Sequence, residues 1–490
     1  MSYILSIDQS TQGTKALLFD AVGTLICRRD VAHEQIISAD GWVSHDPEEI
    51  FRNTVEAVRQ VIAAAGIDGA EIAALGISNQ RETSVCWEKT TGKPVCNAVV
   101  WQCGRAKQLC QRVIDAGWSD TVRKATGIPI SPFFPASKFA WMVENTPGAR
   151  EKAEHHELCF GTIDTWLVYR LTGNYKTDYS NASRTQLFNI HSLTWDVEVC
   201  GAFGLCAEDL AEVTDSDAIF GYTDIDGILP TKIPVCGVMG DSHAALFGQG
   251  CLEPGMAKAT YGTGSSIMMN IGKTPIESRN GLVTSLAWKV GGKVNYCMEG
   301  NLNYTGAVIR WLEKDLGLVS SAAETQQLAE SAHPDDTTYL VPAFTGLGAP
   351  YWNNDAKALI CGMSRLTGKA ELVKAGLDCI AYQIADIVKA MEQDTGKKLT
   401  QLRADGGPTR NGYLMQLQSD LLDADVLIPS SEELSGIGAA YLAGLTMGVY
   451  HEKVFSALER IAHAPTMEKK VRDQKYSGWQ NAVRLTTGNM

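Results

Sequence analysis

No Cys-x-x-Cys pair occurs anywhere in the chain, although it carries 13 cysteines. Zinc sites and redox pairs favour that spacing and a disulfide framework favours an even count, so the thiols read as reduced, small, buried core residues. Long apolar runs are missing too: no segment approaches the ~20 apolar residues of a membrane span. No basic stretch followed by a long apolar region opens the sequence, and a cytoplasmic location is the expectation. Positive charge is in deficit. A net charge of −13 and a pI near 5.3 argue against nucleic acid or an anionic membrane as the principal partner. A P-loop is absent as well, because Gly272-Lys273-Thr274 has the right ending but Ile267 stands where the leading glycine belongs. Low-complexity linkers are lacking, so a domain division has to be read from repeats within folded sequence.

What is present suits a two-lobed α/β protein. A chain of 490 residues, 45% of them hydrophobic, supports two cores rather than one. Strand-like runs at 72–77 and 234–239 alternate with helix-like runs at 47–65 and 371–392. In the last of these, Leu372, Ala375, Cys379, Ile380, Ile384, Ile387 and Met391 recur at three and four, giving one core-facing stripe.

Two glycine-and-hydroxyl turns stand out, one in each half. The first, Asp8-Gln9-Ser10-Thr11-Gln12-Gly13-Thr14-Lys15, lies between apolar runs that read as a strand hairpin. Its backbone N–H groups, hydroxyls and single ammonium suit an oxyanion, and Asp8 at the strand end suits a hydrated magnesium ion. The second, Thr260-Tyr261-Gly262-Thr263-Gly264-Ser265-Ser266, again leads into an apolar run. Either one alone is also an ordinary hairpin turn. Together they describe a nucleotide clasped between two lobes. The division falls near 248–255, a glycine-rich turn, which gives a lobe at 1–250 for the substrate and first phosphate loop and a lobe at 251–490 for the nucleotide. A small-residue stretch, Gly436 to Gly444, is consistent with a helix against the nucleotide and equally with tight helix-on-sheet packing.

Seven sequence blocks carry a resemblance to a known family. They run from Gly76 to Thr83, Asn97 to Cys103, Gly161 to Leu167, Thr177 to Thr185, Gly240 to Gly248, Pro342 to Trp352 and Asp405 to Asn411. With them the chain, from Asp8 to about Trp479, resembles the FGGY family of carbohydrate kinases, part of the actin-like, ribonuclease H-like ATPase group, and most of all its glycerol kinase branch. The resemblance implies two such α/β lobes with an interdomain active-site cleft, ATP and Mg²⁺, phosphoryl transfer to a hydroxyl of a small polyol or ketose, and a homodimer or homotetramer.

The roles follow from chemical need and from that resemblance. An alcohol needs a carboxylate to take its proton, and Asp241, just beyond the apolar run 233–239, is the candidate base. A helix-capping role is compatible with it. Arg81 and Glu82 form an adjacent donor and acceptor pair for vicinal hydroxyls, and Trp101 an apolar wall. Thr11, Gln12 and Lys15 are expected at the terminal phosphates with Thr263 and Gly264 opposite, Gly306, Gly407 and Asn411 beside the ribose and adenine, and Asp8 with Asp241 at the metal. Lys15 stands where glycerol kinases usually carry Arg.

Three departures bear on substrate. Where glycerol kinases carry Asp-Gln-Gln, a Tyr and a Phe against glycerol, this chain has Asp241-Ser242-His243, Phe133 and Ser266. The two serines remove bulk and Phe133 removes a phenol, so the expectation is a site enlarged for a four- or five-carbon polyol or ketose, with glycerol and then xylulose as the alternatives. The aspartate-x-histidine order is similar to that of relatives acting on pentuloses. A non-catalytic ATPase or sugar sensor is the contrasting class. It needs no acceptor site, whereas Asp241, Arg81, Glu82 and Trp101 are all present.

The segment from Asp224 to Pro234 lacks the glycine-and-arginine loop with which bacterial glycerol kinases bind fructose 1,6-bisphosphate. That sugar bisphosphate is therefore expected not to inhibit turnover, and inhibition at physiological concentrations would contradict the reading.

Overall fold

The computed structural model of the protein describes residues 2–488. Two sheets organise it, and they repeat one plan. In the first, Tyr3–Gln9, Gly13–Phe19 and Leu25–Ala32 form an antiparallel meander. Ile72–Asn79 then pairs parallel to Tyr3–Gln9, and Ile233–Gly240 parallel to Ile72–Asn79. The second sheet repeats this with Met256–Tyr261, Ser265–Gly272 and Lys293–Leu302, followed by parallel Gln401–Asp405 and Asp425–Pro429. Gly221–Thr223 completes the first sheet, and Val283–Val290 with Arg460–His463 the second, giving six strands and seven. A three-strand meander followed by parallel strands on the same side of its first strand is the expected ribonuclease H-like arrangement, present twice.

Local sequence explains the elements that matter. Tyr3–Gln9 is buried on both faces from Ile4 onward, which its near-continuous apolar run anticipates for a central strand. The helix Pro47–Ala65 opens with Asp46 accepting the Glu48 N–H, Pro47 in the first turn and two acidic residues beside the helix dipole. It ends on Gly66 in the left-handed region. The long helix Lys369–Thr395 lays its apolar stripe on the second sheet, as its periodicity requires.

Strands from Ile36–Ile37 to Leu158–Thr162 build a smaller five-stranded sheet with attached helices on the first lobe, and this part of the chain carries Trp101 and Phe133. All 13 cysteines are unpaired, and most are buried. Among the described residues no helix is long and apolar enough to cross a membrane.

The small-residue stretch resolves in favour of tight packing. The helix Leu434–Thr446 lies in sequence between strands of the second sheet but packs on strands of the first and on the helix Asp241–Gly248. A third core, with Leu17, Leu246, Met268, Trp288 and Ile437, thereby joins the lobes. Contact is closest at Gly438, where a Cβ would stand 1.8 Å from the Ala244 carbonyl oxygen. Substituting Gly438→Ala is expected to cost at least about 1–3 kcal/mol in urea unfolding, because the obstacle is backbone. Gly201→Ala, where a Cβ meets nothing within 4 Å, is expected to be close to neutral.

Candidate active site

A cavity of about 560 Å³ opens between the lobes. Asp241 lies on its floor at the first position of the helix Asp241–Gly248, directly after the strand Ile233–Gly240. Strand-to-helix ends of this kind collect ligands, since the turn exposes side chains and helix N–H groups together. The Asp241 side chain is 37% exposed and lies 3.2 Å from Arg81 Nε.

Arg81 is more heavily engaged than a free substrate clamp would be. Its two terminal nitrogens donate to the two carboxylate oxygens of Glu299 at 3.0 and 2.9 Å. Arg184 lies 3.1 Å from the same carboxylate and donates from Nε to Glu82 Oε1 at 2.6 Å. All four residues are buried. Burial alone would raise the Glu299 carboxyl, but the two guanidinium groups outweigh it and hold that carboxyl well below the usual range. His243, also buried, is driven well below its ordinary value by burial and then by Arg81 and Arg184, so it stands neutral beside Ser285.

Behind Asp241 lies Asp8, which accepts from Ser78 at 3.1 Å and sits 3.5 Å from Lys15 Nζ. Burial pushes its carboxyl up, against the lowering effect of Lys15, and the Asp241 charge adds to the upward push. A buried carboxylate beside the charge of a second one suits a hard cation, and Asp8 with Asp241 fits Mg²⁺ by donor type. Lys15 donates to Glu433 at 3.0 Å, and Arg28 pairs with the same carboxylate. Burial works against the Lys15 charge, yet Asp8 and Glu433 hold its pKa above the ordinary value.

Trp101 and Phe133 form one wall, their rings 5.4 Å apart and steeply inclined. The indole N–H of Trp101 donates to Thr11 Oγ1 at 3.0 Å, which ties the wall to the first turn. The opposite wall comes from the second sheet: Ser266 donates to Glu299 at 3.1 Å, and Lys258 and Asn301 line the same space. Gly264 must be glycine, because a Cβ there would stand 2.1 Å from the Leu302 carbonyl oxygen. A second cavity of about 450 Å³ adjoins, lined by Thr263, Gly306, Arg310, Trp311 and Gly407.

The structure therefore brings together Asp8, Thr11, Lys15, Arg81, Glu82, Trp101, Phe133, Asp241, Ser242, Gly264 and Ser266 around one cleft, with Thr263, Gly306 and Gly407 around the adjoining one. Two expected nucleotide residues stand apart. Gln12 is exposed on the turn, and Asn411 is buried, capping the helix Gly412–Leu422 through Leu414 N–H and donating to Thr325. The segment Pro342 to Trp352, conspicuous in sequence, makes structural contacts: Tyr351 donates to Asp386 and Trp352 to the Gly281 carbonyl. Glu299, Lys258, Glu433 and Lys138 were not legible as site residues. Glu299 offered one signal, a lone carboxylate in the apolar run 296–298 and its glycine neighbour.

The arrangement is that of a two-lobed phosphotransferase, with an exposed carboxylate and a cation-compatible pair set between a phosphate turn and an acceptor pocket. Comparison with known proteins identifies the family. Residues 3–248 match the N-terminal domain and residues 257–447 the C-terminal domain of the FGGY family of carbohydrate kinases. The chain is 48% identical to glycerol kinase 1 of Thermotoga maritima over 98% of its length and 99% of the relative's. It is 46% identical to a glycerol kinase of Burkholderia pseudomallei, over 98% and 97%. Among solved structures, the glycerol kinase of Plasmodium falciparum with ADP superposes with a TM-score of 0.94 at 34% identity, covering 99% of this chain and 98% of that one. A ligand-bound xylulose kinase of Lactobacillus acidophilus superposes at 0.86 with 20% identity, covering 99% and 97%, a likeness of fold. The chain belongs to the FGGY family of carbohydrate kinases. It is an ATP-dependent phosphotransferase with a hydroxyl group as acceptor.

Lys138 supports the acceptor wall from beneath. It is fully buried, and its ammonium donates to the Phe133 carbonyl and, at 3.4 Å, to the Glu82 carbonyl. Burial pushes its pKa down to about 7, with Glu82 only partly opposing. Above that pH the folded protein carries a neutral Lys138 while the unfolded chain still binds the proton. Its contribution to stability therefore rises with pH, by up to about 1.4 kcal/mol per unit, until the unfolded lysine titrates as well. The stability difference between wild type and Lys138→Met, from denaturant unfolding at pH 7, 8 and 9, is expected to grow in favour of wild type; a difference independent of pH would refute this.

Proposed function

We propose that the enzyme is a kinase of the glycerol kinase-like group that phosphorylates a hydroxyl of a small polyol or ketose, with Asp241 as general base. The observation that carries this is the position of Asp241: a partly exposed carboxylate on the cleft floor, oriented by Arg81 Nε, below an aromatic wall that suits a carbon chain. The acceptor lies with its carbons against Trp101 and Phe133 and its reacting hydroxyl toward Asp241. Glu82 keeps a carboxylate oxygen for a second hydroxyl beyond its bond to Arg184. Asp241 takes the proton as the new phosphorus–oxygen bond forms, and ADP leaves toward the adjoining cavity.

Asp8 and Asp241 would hold Mg²⁺, which when bound neutralises charge on the phosphates. Lys15 and the turn from Gly262 to Gly264 orient the terminal phosphates. Closure of the lobes excludes water, which otherwise competes for the phosphoryl group.

Two observations bear on the acceptor's identity. Ser242 and Ser266 leave room and hydroxyls where a longer chain would extend, which supports a four- or five-carbon polyol or ketose. Identities of 44–48% to proteins named glycerol kinase favour glycerol as the second reading. ADP release with MgATP against glycerol, erythritol, erythrulose, xylulose and ribulose, ranked by kcat/KM, separates them. Asp241→Asn is expected to lower kcat by on the order of 10²–10⁴ with acceptor binding largely kept. Turnover near that of wild type would remove Asp241 from the role of base.

A further inference from the structure

The face of the second sheet that meets the first lobe is graded in polarity along one pair of strands. In the antiparallel register Met268 stands opposite Glu299 and Ser266 opposite Asn301, and the two-residue period puts all four on one face. Met268 is buried in the core between the lobes. Glu299 comes next, its two oxygens taken up by Arg81, Arg184 and Ser266. Asn301 follows at the open end. It is exposed and lines the cleft, and among the described residues none hydrogen-bonds to its amide.

This order determines what the wall can bind. Glu299 lies closest to Asp241 through Arg81, yet it is saturated and offers nothing to a ligand. Asn301 offers one acceptor and two donors, all free, on the same face and two residues further from the reacting end. An uncharged amide matches an alcohol or a ketone, each of which pairs with a donor, an acceptor or both. It carries no charge with which to hold a phosphate or carboxylate against water. The opposite wall, Trp101 and Phe133, presents only carbon to the middle of the chain.

We propose that Asn301 is a specificity-determining residue, its amide binding a hydroxyl or ketone oxygen on the part of the acceptor remote from the phosphorylated end, so that chains longer than three carbons are favoured. Ser242 lines the same cavity from the first lobe, and among the described residues its hydroxyl has no protein partner. This rests on the proposed kinase function and extends it to a contact that no longer involves the reacting hydroxyl. Asn301 acts on selection and leaves proton transfer to Asp241.

The test compares wild type with Asn301→Ala and with the nearly isosteric Asn301→Leu. ADP release is measured against glycerol, erythritol, erythrulose, xylulose and ribulose, with KM for the acceptor and for ATP determined separately. The ratio of kcat/KM for the best longer acceptor to that for glycerol is expected to fall roughly tenfold in both variants, the size of one lost hydrogen bond between uncharged groups. The loss should lie in the acceptor KM. Equal losses for glycerol and the longer acceptors, a rise confined to the KM for ATP, or a wild-type enzyme that prefers glycerol would each overturn the proposal. Absence of ADP release with every acceptor would instead sink the kinase function and this inference with it. Melting curves of both variants identify a folding defect, and the leucine variant, which keeps the volume, then decides.

Discussion

One buried carboxylate holds the two halves of this protein in working relation. Glu299 belongs to the second sheet and its partners Arg81 and Arg184 to the first lobe, so the charge that each side buries is compensated only by the other. A buried ion pair gains little over an apolar contact of the same shape, but removing one partner leaves an uncompensated charge and costs about 3–5 kcal/mol. The network therefore fixes register between the lobes more than it adds stability. Its guanidinium groups add to the burial that keeps His243 neutral, and Arg81 reaches from it to Asp241.

The nucleotide side is organised by a different balance. Asp8, Lys15, Glu433 and Arg28 alternate in sign around the first turn, with Glu433 contributed by the start of the helix that returns from the second half of the chain. That helix reaches its place only because glycine at 438 lets backbone meet backbone. Close packing of Leu434–Thr446 on the first lobe is thus what supplies a carboxylate to Lys15. A core contact and an electrostatic contact have the same cause.

Much of this was legible in the chain. The two hairpin turns, the buried parallel strands and the long helix at 369–395 all announce themselves through periodicity and glycine placement, because each depends on neighbours within a few residues. Arg81, Glu82, Trp101 and Asp241, which the structure brings to one cavity, were legible as motifs. The network that engages them was not: Glu299 pairs with Arg81 across 218 positions, and no local pattern encodes a partner at that separation. At Asn411 the fold adds a partner that the sequence left open. Asn suits a nucleotide contact and a helix N-cap equally well in sequence, and only the fold assigns its oxygen to Leu414 N–H. Lys138 reads as a surface lysine on a helix until the helix Pro135–Asn145 is packed, after which its ammonium has only carbonyls to meet.

These constraints act unequally along the cleft, and that inequality bears on how one scaffold serves different acceptors. Beside Asp241 the buried polar groups are shared: Arg81 with Glu299, Glu82 with Arg184, Ser266 with Glu299. A change at any of these leaves a buried partner unpaired, so the reacting end is held by mutual need. Toward the opening the side chains of Ser242 and Asn301 have solvent for a partner, and Phe133 contacts other rings whose packing tolerates changes of size. Substitutions there alter what the acceptor meets without uncovering a charge. Of the departures from the glycerol kinase pattern, Phe133 and Ser242 line the cavity, Ser266 keeps its bond to the network, and His243 is buried beside it. Changes at Phe133 and Ser242 therefore alter what lines the cavity at little energetic cost, whereas the groups tied to Glu299 are held in place by the buried charges that depend on them.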